Sequence, residues 1–265
     1  KGGGEALTFI LKKEFGDLNL MTAYTNMDIS DVYPLTSAQA ESAYGYTQRW
    51  DGENVDAARS SFMVEHKFLA TLDYTTQIIG ANDTRFSLVF VRKSGEPYSV
   101  TFDEPGYNSV TGNSRFYADY SLAYIPTGAT DPNVSFTSSS VADAVMAHVN
   151  STGLSGYKGT YAPRNGFNSP WYSRLDLRIT QDIGVFDDHK FIIYLDLLNL
   201  LNMIDDEKGI VREYSYNNSR QIMVDGVTDT GQFIISGVDP DDSLWIQNND
   251  GQSAWNINLG FKYQF

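Results

Sequence analysis

Trp255-Asn256-Ile257-Asn258-Leu259-Gly260-Phe261-Lys262-Tyr263-Gln264-Phe265 closes the chain. Every odd-numbered residue in it is apolar or aromatic, and the five even-numbered residues between them are not. Side chains on an extended strand alternate between its two faces, so a period of two over this stretch means one greasy face and one wet face.

The same alternation recurs upstream. Leu175, Leu177 and Ile179 oppose Arg174, Asp176, Arg178 and Thr180, while Phe62, Val64, Phe68, Ala70, Leu72 and Tyr74 oppose Glu65, Lys67, Thr71, Asp73, Thr75 and Gln77. Phe86, Leu88 and Phe90 continue into Tyr98, Val100 and Phe102, with the register blurred near Gly95, and Leu7, Phe9, Leu11 and Phe15 read likewise. Two further runs, Leu18 to Ile29 and Phe191 to Asn202, carry apolar residues on both faces. The pattern predicts seven strands near 5–15, 18–29, 61–77, 84–102, 171–183, 190–202 and 254–265. Lengths of about 10–19 residues exceed the usual ~5–6 of globular sheets and suit tilted membrane crossings.

The connections alternate as well. Gly16-Asp17, Ile78 to Asp83 and Gly184 to His189 are brief, whereas the segments near 30–60, 103–170 and 203–253 are long. Short turns on one side and long loops on the other are the rhythm of an up-and-down barrel. Phe116 to Ile125 would pass for an eighth strand, but counting it puts long loops at both ends, so it is assigned to a loop. Inside that loop, Ser140 and Asp143 are placed as N-cap and N3 of a helix whose Val141, Val145 and Val149 share one face.

Composition narrows the class. The 265 residues carry 19 Lys+Arg against 33 Asp+Glu, a net charge of −14, which argues against a nucleic-acid partner. No run approaches the ~20 apolar residues of a membrane helix; Phe191 to Leu201, the best candidate, is broken by Asp196 and Asn199. Cysteine is absent, which removes disulfide scaffolds and thiolate chemistry. An aromatic-rich, Gly-rich, acidic chain of this kind is ordinary for a β-barrel. Lys1-Gly2-Gly3-Gly4 does not read as a signal peptide, so the chain is expected to be processed or to continue a longer one. Seven strands are an odd number for a single-chain bacterial barrel, and an open edge in hydrocarbon costs several kcal/mol per unpaired group, so further strands are expected from elsewhere.

Several segments bring a family into view. Asn258 to Phe265 resembles the C-terminal β-signal of outer-membrane proteins, with Gly260, Tyr263 and Phe265 at its defining positions. Asp196-Leu197-Leu198-Asn199-Leu200-Leu201-Asn202 resembles the N-L-x-N strand near the end of TonB-dependent receptors, and Arg174 to Arg178 resembles the strand before it. Ser94 to Ser99, Tyr124-Ile125-Pro126, and Gly159 to Trp171 with its Arg164-Asn165-Gly166 are similar to loop motifs of the receptors that carry a carboxypeptidase-regulatory-like N-terminal domain. The resemblance implies a transmembrane barrel of 22 strands around a plug, of which residues 1–265 would be the C-terminal part, in a bacterial outer membrane. It also implies TonB-driven import of a scarce ligand caught by extracellular loops. The implied partners are outer-membrane lipid, the other strands and plug of the same barrel, a TonB-type transducer contacted through sequence outside this chain, and an extracellular ligand-capturing lipoprotein. A scaffold barrel in a secretion or adhesion assembly and a soluble extracellular glycan-binding β-protein remain as alternatives.

Trp255, Ile257, Leu259, Phe261, Tyr263 and Phe265 are expected to face lipid. Trp50, Tyr44, Tyr46, Tyr107, Trp171 and Trp245 lie in or beside long loops, and among them Trp50, Tyr107, Trp171 and Trp245 are the candidates for stacking on a ligand, against the competing use of packing loops together. Arg174, Asp176, Arg178, Asp182 and Lys67 are expected to form a hydrated ladder against the plug. His66, His148 and His189 are scattered with no acid or serine at triad spacing, so no catalytic residue is assigned. Asp205-Asp206-Glu207 and Asp239 to Ser243 lack the twelve-residue calcium-loop pattern and read as solvated loops, so no metal or cofactor is assigned.

Overall fold

The computed structural model describes residues 1–35, 37–51, 55–104, 120–186, 189–239 and 251–265, together with the backbone of 245–247. The chain runs down β1 (Gly3–Phe15) and returns along β2 (Leu18–Asp31). Gly16 stands at φ +60 between them, the left-handed geometry a two-residue hairpin turn requires. A long connection then carries α1 (Ala40–Gly45) and β3 (Ala58–Arg59), the latter pairing with the end of β2. The hairpin of β4 (His66–Ile79) and β5 (Asn82–Lys93) follows. A second long connection carries β6 (Pro97–Asp103), β7 (Tyr124–Ile125), β8 (Val134–Phe136), α2 (Ser139–Ser151), β9 (Thr160–Tyr161) and β10 (Phe167–Asn168). After the hairpin of β11 (Tyr172–Phe186) and β12 (His189–Leu198) comes α3 (Leu200–Ile204). The third connection continues through β13 (Val211–Glu213), β14 (Asn218–Val227), β15 (Phe233–Val238) and β16 (Trp245–Gln247) before β17 (Asn256–Gln264).

β1, β2, β4, β5, β11, β12 and β17 form one sheet in that order, each antiparallel to the next. All three short turns lie at one end of this sheet and all three long connections at the other. Register makes the faces continuous across strands. Phe15, Leu18, Tyr74, Phe86, Ile179, Leu195 and Leu259 stand opposite one another in a single row over all seven strands. The adjacent row, on the other face, is Glu14, Asn19, Asp73, Ser87, Arg178, Asp196 and Asn258. In this row one face of the sheet is apolar, and the row behind it is polar. The sheet is open: among the described residues, β1 and β17 each pair on one side only, so the chain is a mostly antiparallel all-β fold without a closed barrel.

The long connections fold into a cap. A second sheet runs β10-β6-β14-β15-β8, with β14 parallel to β6 and β15 parallel to β8, and so knits the second connection to the third. The hydrophobic core of the molecule lies here. Val100 and Phe102 on β6, Ile222 and Val224 on β14 and Ile235 on β15 pack with Val145 and Val149 of α2.

Four sequence expectations need correction. The strand expected over 84–102 is two strands, because Ser94 to Glu96 break the ladder and Pro97 opens β6 in the other sheet; Gly95 passes so close to the Ser169 and Pro170 carbonyls that no Cβ would fit. Phe62 and Val64 lie outside β4, Phe62 in a turn closed by Met63 N–H donating to Ser60 O at 3.2 Å and Val64 just after it. The strand expected to reach Asn202 stops at Leu198, since Asn199 is left-handed (φ 55, ψ 52) and starts a helical turn. The cap of α2 is Ser138, which is extended and accepts from Val141 N–H; Ser140 and Asp143 make no capping box. Of the disputed stretch 116–125, residues 116–119 lie outside the described set, and Tyr120 to Ile125 join the cap rather than the seven-stranded sheet.

Phe102 is fully buried against Phe233, ring centroids 4.9 Å apart. Phe102→Ala is expected to lower cap stability by about 3–5 kcal/mol, measurable as a fall in the urea midpoint followed by near-ultraviolet circular dichroism.

Candidate functional site

The three long connections meet at a cleft of about 270 Å³. The first contributes Pro34, Ser37, Ser42, Tyr46, Gln48 and Ser61; the second contributes Arg164 and Asn165; the third contributes Tyr216 and Asn217. Tyr46 and Tyr216 stack, with centroids 5.5 Å apart and planes 9° apart, and Tyr120 meets Tyr46 edge-on at 5.4 Å. Tyr216 is 67 % exposed and Tyr46 38 %.

Hydrogen bonds between connections hold the walls. Gln48 Nε2 donates to Tyr216 O at 2.9 Å, and Asn217 Nδ2 donates to Pro97 O at 2.9 Å. Asn165 Nδ2 donates to Arg59 O at 2.7 Å, and its backbone N–H donates to Ser99 Oγ at 2.8 Å. Arg164 is the strut between cap and sheet. Its guanidinium donates to the Asp31 and Val32 carbonyls at the end of β2 and pairs with Asp31 Oδ1 at 3.4 Å. Burial depresses the Arg164 pKa, with the Asp31 charge opposing that shift.

The backbone is strained around this cleft. Among the described residues, five non-glycine positions have positive φ: Leu35, Asn165, Asn199, Tyr216 and Asn217. Three of them line the cleft and Leu35 follows Pro34 on its rim. Left-handed geometry in residues with a Cβ costs free energy and persists where surrounding contacts impose it, which is a feature of functional sites.

Of the ligand-stacking residues predicted from sequence, Trp50 and Trp171 lie outside the cleft lining. Trp50 is half-exposed and stacks on Tyr161 at 5.0 Å and 13°, outside the cleft lining. Trp171 sits at the loop-side rim of the apolar face, stacked on His66 (5.9 Å, 4°) beside Phe68, with Arg92 5.3 Å from its ring centre. Tyr107 lies outside the described residues, and of Trp245 only the backbone, paired with Glu213, is described. Tyr44 lies under the Arg49 guanidinium at 3.8 Å, whereas Tyr46 is in the cleft. The cleft residues missed from sequence were Gln48, Asn165, Tyr216 and Asn217. The Asn217-Asn218 pair after Tyr216 was the available signal, since Asn tolerates left-handed backbone.

On the seven-stranded sheet, Leu259, Phe261 and Phe265 are 76 %, 79 % and 90 % exposed, and Trp255, Ile257 and Tyr263 lie on the same face. Aromatic rings gather at both ends of that face. Tyr24, Phe68 and Trp171 touch at the loop side; Phe191, Tyr263 and Phe265 touch at the turn side, where His189 Nδ1 meets the Tyr263 hydroxyl at 2.6 Å. Gly260, on the opposite face, leaves the space into which the Tyr194 ring folds; a Cβ there would collide with it. On the polar face four of the five predicted charges fall in ion pairs, Arg178 with Asp196 (2.5 Å), Arg174 with Asp176 (2.8 Å), and Asp182 between Arg85 and Lys190 (3.0 Å each), whereas the fifth, Lys67, stands opposite Lys93. His148 Nε2 lies 2.9 Å from Gln221 Oε1 in the cap. Asp205 pairs locally with Lys208 at 2.9 Å, Asp239 alone of its acidic run before Pro240 is described, and no metal-ligating cluster occurs among the described residues.

No protein-family model matches the chain, and no curated protein or solved structure matches it either.

Asp131 organises the cap beside β7. Burial acts to raise its pKa, but Thr127 N–H (2.7 Å) and Asn133 N–H (2.8 Å), then the Thr127 and Tyr124 hydroxyls, donate to its carboxylate and hold the pKa below its ordinary value. A depressed folded-state pKa contributes stability above the unfolded value of ~3.9 and loses it as pH falls through the folded value. Asp131→Asn is expected to cost about 1–3 kcal/mol at neutral pH and to shrink the loss of stability on acidification below about pH 4, both read from urea midpoints measured at each pH.

Proposed function

We propose that this chain is the C-terminal part of a transmembrane β-barrel in a bacterial outer membrane, belonging to an active transporter of the TonB-dependent type. The observation that carries the proposal is the apolar row from Phe15 to Leu259, running across seven consecutive antiparallel strands with a polar row immediately behind it. Water penalises such a face, and lipid does not. The dimensions agree: Trp255 to Phe265 spans ten residue steps, about 33 Å along the strand. At the ~40° tilt of outer-membrane strands this is about 25 Å of membrane normal, the height of their apolar band. Rings at both ends of the face fit the interfacial girdles of such barrels.

The unpaired outer edges of β1 and β17 support further strands of the same barrel. An open edge in hydrocarbon would leave backbone groups unsatisfied at several kcal/mol each. A total of 22 strands, a plug and a TonB-type transducer follow from the resemblance of the sequence motifs. On this reading the cap is the extracellular side, because long loops lie outside and short turns inside, and its cleft captures the imported ligand. The paired charges of the polar face line a hydrated lumen against the plug.

Leu259→Arg places a charge on the apolar face and is expected to cost about 2–4 kcal/mol in the bilayer, seen as loss of the folded, heat-modifiable band from outer-membrane fractions. Normal levels of that band would count against the lipid-facing assignment of Leu259, and a chain monodisperse without detergent would favour a soluble glycan-binding β-protein instead. Removing Phe265 is expected to lower the yield of folded barrel in cells while leaving synthesis unchanged, and pulse-chase labelling separates the two.

A further inference from the structure

We propose that the apolar face of the seven-stranded sheet carries a site for one phosphate-headed, two-chain lipid. One acyl chain lies in a groove over Thr22 and Ala70, and Arg92 holds the phosphate at the loop-side end of that groove. The inference rests on the barrel reading, which puts this face in hydrocarbon, and goes beyond it by singling out one lipid from those around the barrel.

The groove comes from a gap in the rows of large side chains. Thr22 and Ala70 stand directly opposite each other on β2 and β4. Leu11 and Phe90 flank them in the same row, Tyr24 and Phe68 stand one row loopward, and Leu20 and Leu72 one row turnward. Small residues inside this ring leave a groove of about 640 Å³, which reaches down to Ala23 and Leu69, residues of the opposite face. That volume is within the ~300–1,000 Å³ of ligand sites. Lipid tails are as apolar as leucine, so a smooth face gains little from any one chain, whereas a groove gains packing contacts along the chain it holds.

Arg92 decides the class of lipid. It lies on the same face, in the row of Tyr24 and Phe68, and is exposed, with its guanidinium 5.3 Å from the Trp171 ring centre. Among the described residues it has no carboxylate partner and no protein acceptor for its N–H donors. The acids of this face, Glu5 and Asp28, oppose one another two rows further loopward. Among the described residues of the seven strands, the other Lys or Arg on this face is Lys13, at the turn end beside Phe15. A guanidinium with donors to spare at the edge of hydrocarbon calls for an anion with several acceptor oxygens, and its planar fork matches a phosphate.

Spacing joins the two parts. Arg92 is one row loopward of Phe90 and Ala70, about 7 Å along the strands, which is the room a glycerol unit takes between a lipid phosphate and its chains. Trp171, stacked on His66 at 5.9 Å, bounds the loop side of the site. Rings there mark the membrane–water interface on the barrel reading, the depth at which lipid phosphates lie.

The test uses the full-length protein purified in detergent from outer membranes, with native mass spectrometry reading the bound species. The probes are dipalmitoyl phosphatidic acid, dipalmitoylglycerol with the same chains and no phosphate, and inorganic phosphate with no chains. Phosphatidic acid is expected to bind about tenfold tighter than the diacylglycerol, and inorganic phosphate is expected not to be retained. Arg92→Gln should erase that preference. Ala70→Phe fills the groove and should weaken phosphatidic acid about tenfold, while Ile193→Phe, on the same face of β12, should leave it unchanged. If Ala70→Phe loses the heat-modifiable band, Thr22→Phe fills the groove from β2. Equal retention of the two lipids, binding of inorganic phosphate as tight as that of the lipid, or indifference to both Arg92→Gln and the groove substitutions overturns the inference. So does a protein dimer that Arg92→Gln dissociates, which would assign the face to a second copy. A normal heat-modifiable shift with unselective lipid binding overturns this inference alone, and absence of the shift in the unaltered protein overturns the barrel proposal with it.

Discussion

Cross-strand register is the constraint on which the rest of the structure depends. A strand alone specifies two faces, but only pairing decides whether the faces of neighbouring strands agree. Leu20, Leu72, Leu88, Leu177, Leu197 and Ile257 form a second apolar row parallel to the first over six of the seven strands, with Lys13 of β1 opposite Leu20 at its end. A slip of one residue in any pair would turn that strand's leucines toward Asp73, Arg178 and Asp196 and carry charges to the apolar side. Local devices protect the register at particular points. Gly260 leaves room for the Tyr194 ring, and the Arg178–Asp196 pair bridges β11 to β12 at directly opposed positions.

The same sheet dictates where the cap can form. Hairpins with two-residue turns at one end leave three long connections with nowhere to go but the other end, and there they find each other. β6 continues directly from β5 across Ser94 to Glu96, which places the first strand of the second sheet. β14 then lies parallel to it from more than a hundred residues away in sequence, and α2 closes over the core. Arg164 fastens this unit to the end of β2. The cleft is a consequence of the assembly, since each connection supplies only part of its wall.

Two kinds of surface follow, with different demands. The apolar face needs side chains of one class in the right row, and many substitutions within that class would serve. The cleft needs particular residues in particular backbone conformations: Asn165, Tyr216 and Asn217 are all left-handed, and each is held by contacts reaching from another connection. Strain at Asn199 is of a structural kind. Its Nδ2 donates to Gly209 O at 2.8 Å and its backbone N–H to Asp176 Oδ1 at 2.7 Å, fixing the corner where β12 ends.

The amino-acid sequence by itself determined the seven long strands, which residues share a face, and the separation of short turns from long loops. Each of these is written in a period of two or in a Gly-Asp turn, and both are local signals read within a few residues. What it left undetermined lay where contacts are distant. The second sheet is built from short strands whose partners sit on other connections, the α2 cap was one of three adjacent serines, and the strand ends at Ser94 and Asn199 were set by tertiary contacts. The cleft belongs to the same class: Trp50 and Trp171 drew attention by size, but the folded chain directed them to Tyr161 and to the rim of the apolar face. Tyr46 and Tyr216, 170 positions apart in sequence, became neighbours because non-local pairing costs chain entropy that only the assembled cap recovers.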